Sequence, residues 1–342
     1  MENTKKQAFI ILGGLLSLLL ILGLFRLIGS AKSDTNTNFS ATKDESISAT
    51  NPLYLNILRL ETIDNFPPNN YFPKNLEPLF NDNFDISVRA YGVMDRDSGE
   101  LLYAKNLTKE LPIASIAKIM TAIVALENAP LDATFAVSPN AGKIGEASMG
   151  LSTGERLTAE ELLYGAMLPS GNDAAETLAE GVGIYHQMND NLNVDREKGR
   201  EWFLDEMNRK AQSLGMMDTY FFNPTGLDEE TKEKSSFSTA LDFLALANYA
   251  LNNPTFAKIV ETKNITFPYK EGYHKSYNLY NILQLDGSFK GIKGVKPGSS
   301  VFANETLVSY LEKDGRRIIA VILGSDFTKD DVVKIYKRIF EK

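Results

Sequence analysis

Apolar and polar positions divide the chain into a short head and a long body. Ala8 to Phe25 is an unbroken run of apolar and small residues. Its length reaches the lower limit for crossing a bilayer, and Arg26 can snorkel so that the run extends to Ile28. Lys5 and Lys6 precede it, which predicts a cytoplasmic N-terminus with everything after the run outside. A cleaved signal peptide is the competing reading, with Gly29 and Ala31 as the small residues of a cleavage site. The run is longer than a usual signal core, which favours an uncleaved anchor. Ala31 to Asn51 is polar, with Phe39 and Ile47 its larger apolar residues. It predicts a flexible extracellular tether averaging roughly 25 Å end to end. Pro67, Pro68, Pro73 and Pro78 oppose a long helix before Asn83, so an irregular lead-in packed on the body is expected there. The expected division is anchor 1–30, tether 31–51, lead-in 52–84 and folded domain 85–342.

Within the body the period of the pattern changes three times. Ser87–Met94 and Leu101–Tyr103 read as strands around the turn Asp95-Arg96-Asp97-Ser98-Gly99. Pro112–Glu127 then has helical periodicity, with Ile116, Ile119, Met120, Ile123 and Val124 on one stripe and alanines opposite. Pro112 suits the start of such a helix. Thr158 and Glu161 form a capping box ahead of Leu162, Leu163, Ala166 and Met167. Pro169 ends that helix and another begins at Asp173, leaving Ser170-Gly171-Asn172 as a tight interhelical loop. Trp202–Leu214 is a further helix closed by Gly215, and Ser238-Thr239 caps another that runs to about Leu251. Gly291–Val295, Thr306–Leu311 and Arg317–Leu323 read as strands, with Asp314-Gly315 turning the last pair. Lys329–Phe340 is a closing amphipathic helix. Strands at both ends and helices between predict an α+β fold: one antiparallel sheet built from both ends of the domain, plus a helical insertion.

Composition narrows the chemistry. The net charge of −8 argues against nucleic acid as a partner, and the lack of cysteine excludes disulfides, thiol catalysis and cysteine metal sites. His186 and His274 stand far apart without a ligand partner at helical spacing, so neither is assigned a role. The informative cation is Lys118, alone on an apolar helix and one turn after Ser115. Burial lowers a lysine pKa and can leave a neutral amine able to accept a proton, which points to an activated serine. The bland reading is a snorkelling lysine beside a capping serine. Ser40 and Lys43 have the same spacing in a polar stretch, so spacing alone does not discriminate. Acyl transfer by Ser115 needs two more groups: a proton donor for the leaving amine, and an anchor for a carboxylate. Ser170 and Asn172 could supply the first. Lys296, at the end of a strand in Val295-Lys296-Pro297-Gly298, could supply the second.

That order of motifs, with the blocks around it, resembles the serine D-alanyl-D-alanine carboxypeptidases, the low-molecular-mass penicillin-binding proteins of peptidase family S11. Residues 112–127 (PIASIAKIMTAIVALE), 149–180, 206–228 (EMNRKAQSLGMMDTYFFNPTGLD), 238–251 and Asn278–Leu283 carry the resemblance. It implies a β-lactamase-like transpeptidase fold in which Ser115 is the acylated nucleophile and Lys118 its base. Ser170 would relay a proton to the leaving D-alanine, Asn172 would orient the substrate amide, and Lys296 would attract the terminal carboxylate. Gly298 and Ser299 would contact substrate, with the N–H groups of Ser115 and Ser299 as the oxyanion hole. The implied partners are the D-Ala-D-Ala end of peptidoglycan stem pentapeptides, β-lactams as covalent inhibitors, and a membrane held through the N-terminal helix. No cofactor is expected. Three positions depart from the family: Pro297 replaces a usual threonine, Ser300 stands where threonine is common, and Asn304 where glycine is usual. Two further readings stay open: a DD-endopeptidase using the same residues, since sequence does not measure cleft width, and a non-catalytic wall or β-lactam sensor, which Pro297 motivates.

Overall fold

The computed structural model describes residues 71–190, 192, 194–283 and 287–341. The apolar run at Ala8–Phe25, the tether, the Ser40–Lys43 pair and the lead-in before Tyr71 lie outside the described residues. Among the described residues no helix is long and apolar enough to cross a membrane.

The chain opens with β1 (Ala90–Asp95) and β2 (Leu101–Lys105), then the two-residue β3 (Leu111–Pro112) and helix α1 (Lys118–Asn128). The hairpin of β4 (Thr134–Ala136) and β5 (Arg156–Thr158) leads into α2 (Ala159–Met167), α3 (Asn172–Asn189) and α4 (Arg196–Ser213). After β6 (Phe237–Ser238) come α5 (Ala240–Ala250), α6 (Pro254–Glu261) and the hairpin β7 (Asn264–Phe267)–β8 (Tyr277–Tyr280). The chain closes with β9 (Ile292–Ser300), β10 (Asn304–Lys313), β11 (Arg316–Ser325) and α7 (Thr328–Phe340). The main sheet has the order β2-β1-β11-β10-β9 and every pairing is antiparallel. It is the expected sheet from both ends of the domain, with the helices inserted between.

Strand β11 shows why the sheet sits at the centre. Its run Ile318–Leu323 is apolar without alternation, as a strand covered on both faces must be. Ile319, Val321 and Leu323 pack in one core with Ile116, Ile119 and Met120. Ile318, Ala320 and Ile322 pack in the other, against Val332, Ile335, Tyr336 and Ile339 of α7. Residues of the expected lead-in run beside β2: Leu79 and Phe80 donate backbone hydrogen bonds to Leu101 and Leu102. Phe80 and Phe84 pack on Tyr103.

Several boundaries move. The periodic stretch 112–127 is two elements, because Pro112 is in β3 and not at a helix start. β3 pairs with β6, and Ile113 N–H bonds Ser236 O, which carries the chain extended up to Ala114. Ala114 turns it at φ +49°, and a 3₁₀ turn, Ala114–Ala117, precedes α1. Helix α4 starts six residues before Trp202, capped by Asp195, whose carboxylate accepts the Glu197 and Lys198 N–H groups. The charged run Arg196–Arg200 hid that start from an apolar pattern. The capping box at Thr158 and the Thr239 cap form as expected. Pro254, expected only as a stop, is also the first residue of α6. The strand expected to end near Val295 continues to Ser300, so Lys296 lies inside β9 and not at its end. Pro297 and Gly298 read as breakers, but β9 is the sheet edge, where proline is tolerated.

Candidate active site

Ser115 sits in the 3₁₀ turn and Lys118 is the first residue of α1, so the two face each other across one turn. Lys118 is fully buried, yet its Nζ has three acceptors: Ser115 Oγ at 2.9 Å, Asn172 Oδ1 at 2.7 Å and the Thr225 carbonyl at 2.7 Å. Burial holds its pKa well below the ordinary lysine value, and the nearby charge of Lys296 pushes it the same way. Glu146 and Asp173 act against that shift, without reversing it. The snorkelling reading is therefore wrong for Lys118: its amine ends at a serine hydroxyl inside the protein.

Asn172 is brought to Lys118 by the short link between α2 and α3. Ser170 makes the turn at φ +66° and is buried, and Asn172 opens α3. The Asn172 side chain is held from both ends, Oδ1 by Lys118 and Nδ2 by the Gly145 carbonyl at 3.0 Å. Its backbone N–H bonds the Ala147 carbonyl at 2.8 Å. Glu146, between those two carbonyls, has φ +63°, which lets the loop grip Asn172 on both sides. Asp173 fixes the next stretch of that loop, accepting from Ser148 Oγ and from the N–H groups of Met149, Gly150 and Leu151.

The third wall is edge strand β9. A Cβ on Gly298 would lie 2.9 Å from Ser115 N and 2.6 Å from Thr306 Oγ1, so the strand passes directly against the Ser115 turn. Thr306 Oγ1 in turn donates to the Ile113 carbonyl at 2.9 Å, pinning the sheet to the residue before that turn. Lys296 is fully buried, and its Nζ donates to the Pro297 carbonyl at 2.8 Å. Burial pulls its pKa down to about 7. Beyond the strand, Ser300 Oγ bonds Asp228 Oδ1 at 2.8 Å and accepts the Ala303 N–H, while Phe302 N–H bonds Asp228 Oδ2. Ser300 thus builds the β9–β10 turn. Asn304 has φ +57°, a conformation that favours glycine and that asparagine tolerates.

A cleft of about 270 Å³ collects Ser115, Ser170, Asn172, Pro297, Gly298 and Ser299. Of the residues singled out from the sequence, Lys118 and Lys296 do not line it: both are fully buried, Lys118 bonded to Ser115 Oγ and Lys296 to the Pro297 carbonyl. Sequence reading missed Glu146, Ile282, Glu305 and Lys329 on the cleft wall. It also missed Thr225, whose contribution is a backbone carbonyl. The signal for Thr225 was present in Asn223-Pro-Thr-Gly226. Asn223 Oδ1 accepts from Thr225 N, Thr225 Oγ1 and Gly226 N, and Gly226 at φ +76° passes so close to the Ala114 carbonyl that a side chain would collide. His274 is buried, with Nδ1 2.7 Å from the Lys275 carbonyl and Nε2 3.2 Å from Glu161, which fits a structural residue.

Residues 77–327 match the family model described as D-alanyl-D-alanine carboxypeptidase. The chain is 30% identical over 252 residues to the D-alanyl-D-alanine carboxypeptidase DacF of Bacillus subtilis, an alignment covering 72% of this chain and 60% of that protein. It is 33% identical over 240 residues to DacB2 of Mycobacterium tuberculosis, covering 70% and 75% respectively. Among solved structures, the Streptomyces K15 DD-transpeptidase superposes with a TM-score of 0.69 at 28% identity, covering 77% of this chain and all of that one. The match to DacF therefore extends over about three fifths of that relative's length.

Proposed function

The chain belongs to the D-alanyl-D-alanine carboxypeptidase family, peptidase family S11, and from that premise we propose that it removes the terminal D-alanine of peptidoglycan stem peptides through an acyl-enzyme on Ser115. The observation that carries this is the buried Lys118 amine, bonded to Ser115 Oγ and depressed in pKa by its surroundings. A neutral Lys118 takes the proton from Ser115 Oγ as the oxygen attacks the penultimate carbonyl. Charge on the carbonyl oxygen is met by the N–H groups of Ser115 and Ser299. Ser170 passes a proton to the departing D-alanine, Asn172 holds the peptide amide, and Lys296 supplies positive potential for the terminal carboxylate. Water then resolves the ester, and β-lactams acylate the same oxygen. Ala8–Phe25 anchors the protein with this domain outside the cytoplasm, tethered through 31–51.

The test is to incubate the protein with labelled penicillin and with a D-Ala-D-Ala peptide. An adduct mapping to Ser115 together with released D-alanine is expected. An adduct on another serine would overturn the assignment, and an adduct without release of D-alanine would favour the sensor reading. A cross-linked dimeric stem as substrate separates endopeptidase from carboxypeptidase activity.

Lys296 gives the reaction a pH signature. With its pKa lowered to about 7, it is charged below that pH and loses its charge above it. For a donor ending in a carboxylate, kcat/KM is expected to fall as pH rises through about 7. The same donor ending in an amide lacks the partner charge and should show no such fall. Parallel profiles for the two donors would remove Lys296 from carboxylate anchoring.

Pro297 predicts a reserve of activity. It lines the cleft and offers neither hydroxyl nor N–H to a carboxylate. Pro297→Thr is expected to raise kcat/KM on D-Ala-D-Ala peptides by roughly 5- to 150-fold, the worth of one hydrogen bond to a charged group. Steady-state kinetics on the purified variant checks it; no gain would point to another group, such as Ser299 on the cleft wall, already holding the carboxylate.

A further inference from the structure

The β7–β8 hairpin has one face closed and one open. Tyr277 and Leu279 are buried, and Ile265 and Phe267 pack on the main core. The alternate residues Asn264, Thr266, Asn278 and Tyr280 face outward and are exposed. The register sets Asn264 opposite Tyr280 and Thr266 opposite Asn278, so the four form one patch. Thr266 Oγ1 donates to Asn278 Oδ1 at 2.8 Å, and among the described residues no group accepts from the Asn278 NH₂. Tyr280 is 63% exposed. Two residues further on, Ile282 is part of the catalytic cleft wall. The link between patch and cleft is fixed: Asn281 Nδ2 donates to the Val260 and Thr262 carbonyls, and Ile282 N–H to the Leu168 carbonyl.

We propose that this open face of the β7–β8 hairpin is a saccharide subsite that holds the glycan from which the substrate stem peptide hangs. This deepens the carboxypeptidase reading and rests on it. The patch joins a bare aromatic ring to amide and hydroxyl groups and carries no charge on its four outward residues. A pyranose needs that combination: an apolar ring face for its C–H surface, with donors and acceptors at the edge for its hydroxyls. Continuity with the cleft sets the reach. Ile282 and Asn278 are four residues apart, which puts them at most roughly 13 Å from each other. An acyl donor with four stem residues between the scissile carbonyl and the sugar covers about the same distance when extended. A stem lying in the cleft can therefore deliver its sugar to the patch.

The experiment compares one stem peptide in two forms, free and attached to a short glycan strand, with wild type, Tyr280→Ala and Tyr280→Phe. Wild type is expected to show a kcat/KM about three- to tenfold higher on the glycan-linked stem, the scale of one aromatic stacking contact. Tyr280→Ala should lose that advantage while its rate on the free peptide stays unchanged, and Tyr280→Phe should keep it. Equal rates of wild type on the two forms, or an equal loss on both in Tyr280→Ala, would overturn the subsite. A wild-type dimer that Tyr280→Ala turns into a monomer would assign the face to a second copy of the chain. Should wild type release no D-alanine from either form, the carboxypeptidase reading fails. The subsite is then decided by calorimetric titration with glycan strands stripped of their peptides, which should bind wild type and not Tyr280→Ala.

Discussion

Lys118→Met is expected to slow acylation of Ser115 by a labelled β-lactam about 100- to 10,000-fold, the usual worth of a positioned general base. Methionine fills a similar length of buried space and removes only the amine that touches Ser115 Oγ. Lys118→Arg should be as slow for a different reason, since guanidinium keeps the positive charge and does not deprotonate in a protein. The pair separates proton acceptance from charge. Methionine also leaves Asn172 Oδ1 and the Thr225 carbonyl without their donor, at about 1–3 kcal/mol each if they stay unpaired. Thermal melting of each variant must therefore accompany rapid-quench measurement of adduct formation. An arginine variant that acylates at the wild-type rate would end the proton-acceptor assignment.

Gly298→Ala is expected to cost about 100- to 1,000-fold in kcat, the scale of losing one oxyanion donor. The added methyl would meet Ser115 N at 2.9 Å, Ile116 N at 3.1 Å and Thr306 Oγ1 at 2.6 Å. The hydroxyl could rotate only by releasing Ile113, and the two amides belong to backbone. The strand itself has to retreat, carrying the Ser299 N–H away from the carbonyl oxygen. Gly287→Ala serves as the control, since its Cβ would meet nothing within 4 Å. Comparable losses in the two variants would show that β9 does not need to lie against the nucleophile.

How far the sequence could be read depended on the kind of signal each part carries. The two-sided burial of β11 is written in its unbroken apolar run, and the α2 and α5 starts are written in their caps. Ser115, Lys118, Ser170 and Asn172 were legible because helical spacing and one interhelical loop are local facts. The start of α1 was not, because Pro112 suits the first turn of a helix and a short strand equally, and pairing with Phe237 decides between them. Lys296 looked like a strand end because Pro297 and Gly298 follow it. That the strand is an edge, where proline is tolerated, was itself legible from the need for substrate to lie along it, and the strand order agrees. Glu146, Thr225 and Ile282 were out of reach for another reason. Each contributes through a backbone turn, a carbonyl or a position in the folded cleft, none of which side-chain type encodes.

The strand order has a consequence for solubility. An unpaired sheet edge beside an open cleft is a template on which another extended chain can add, whether substrate or a misfolded neighbour. Backbone N–H groups alternate in direction along a strand, so the Ser299 N–H and the Pro297 nitrogen point the same way, outward from the edge strand, where proline is tolerated. That nitrogen carries no hydrogen, so the outward row of donors is broken beside Ser115. A short peptide anchored by its carboxylate can tolerate the gap, whereas a long foreign strand in continuous register loses a rung of its ladder. Threonine at position 297 would restore the rung, so the same exchange that strengthens substrate binding should make concentrated protein more prone to edge-to-edge association.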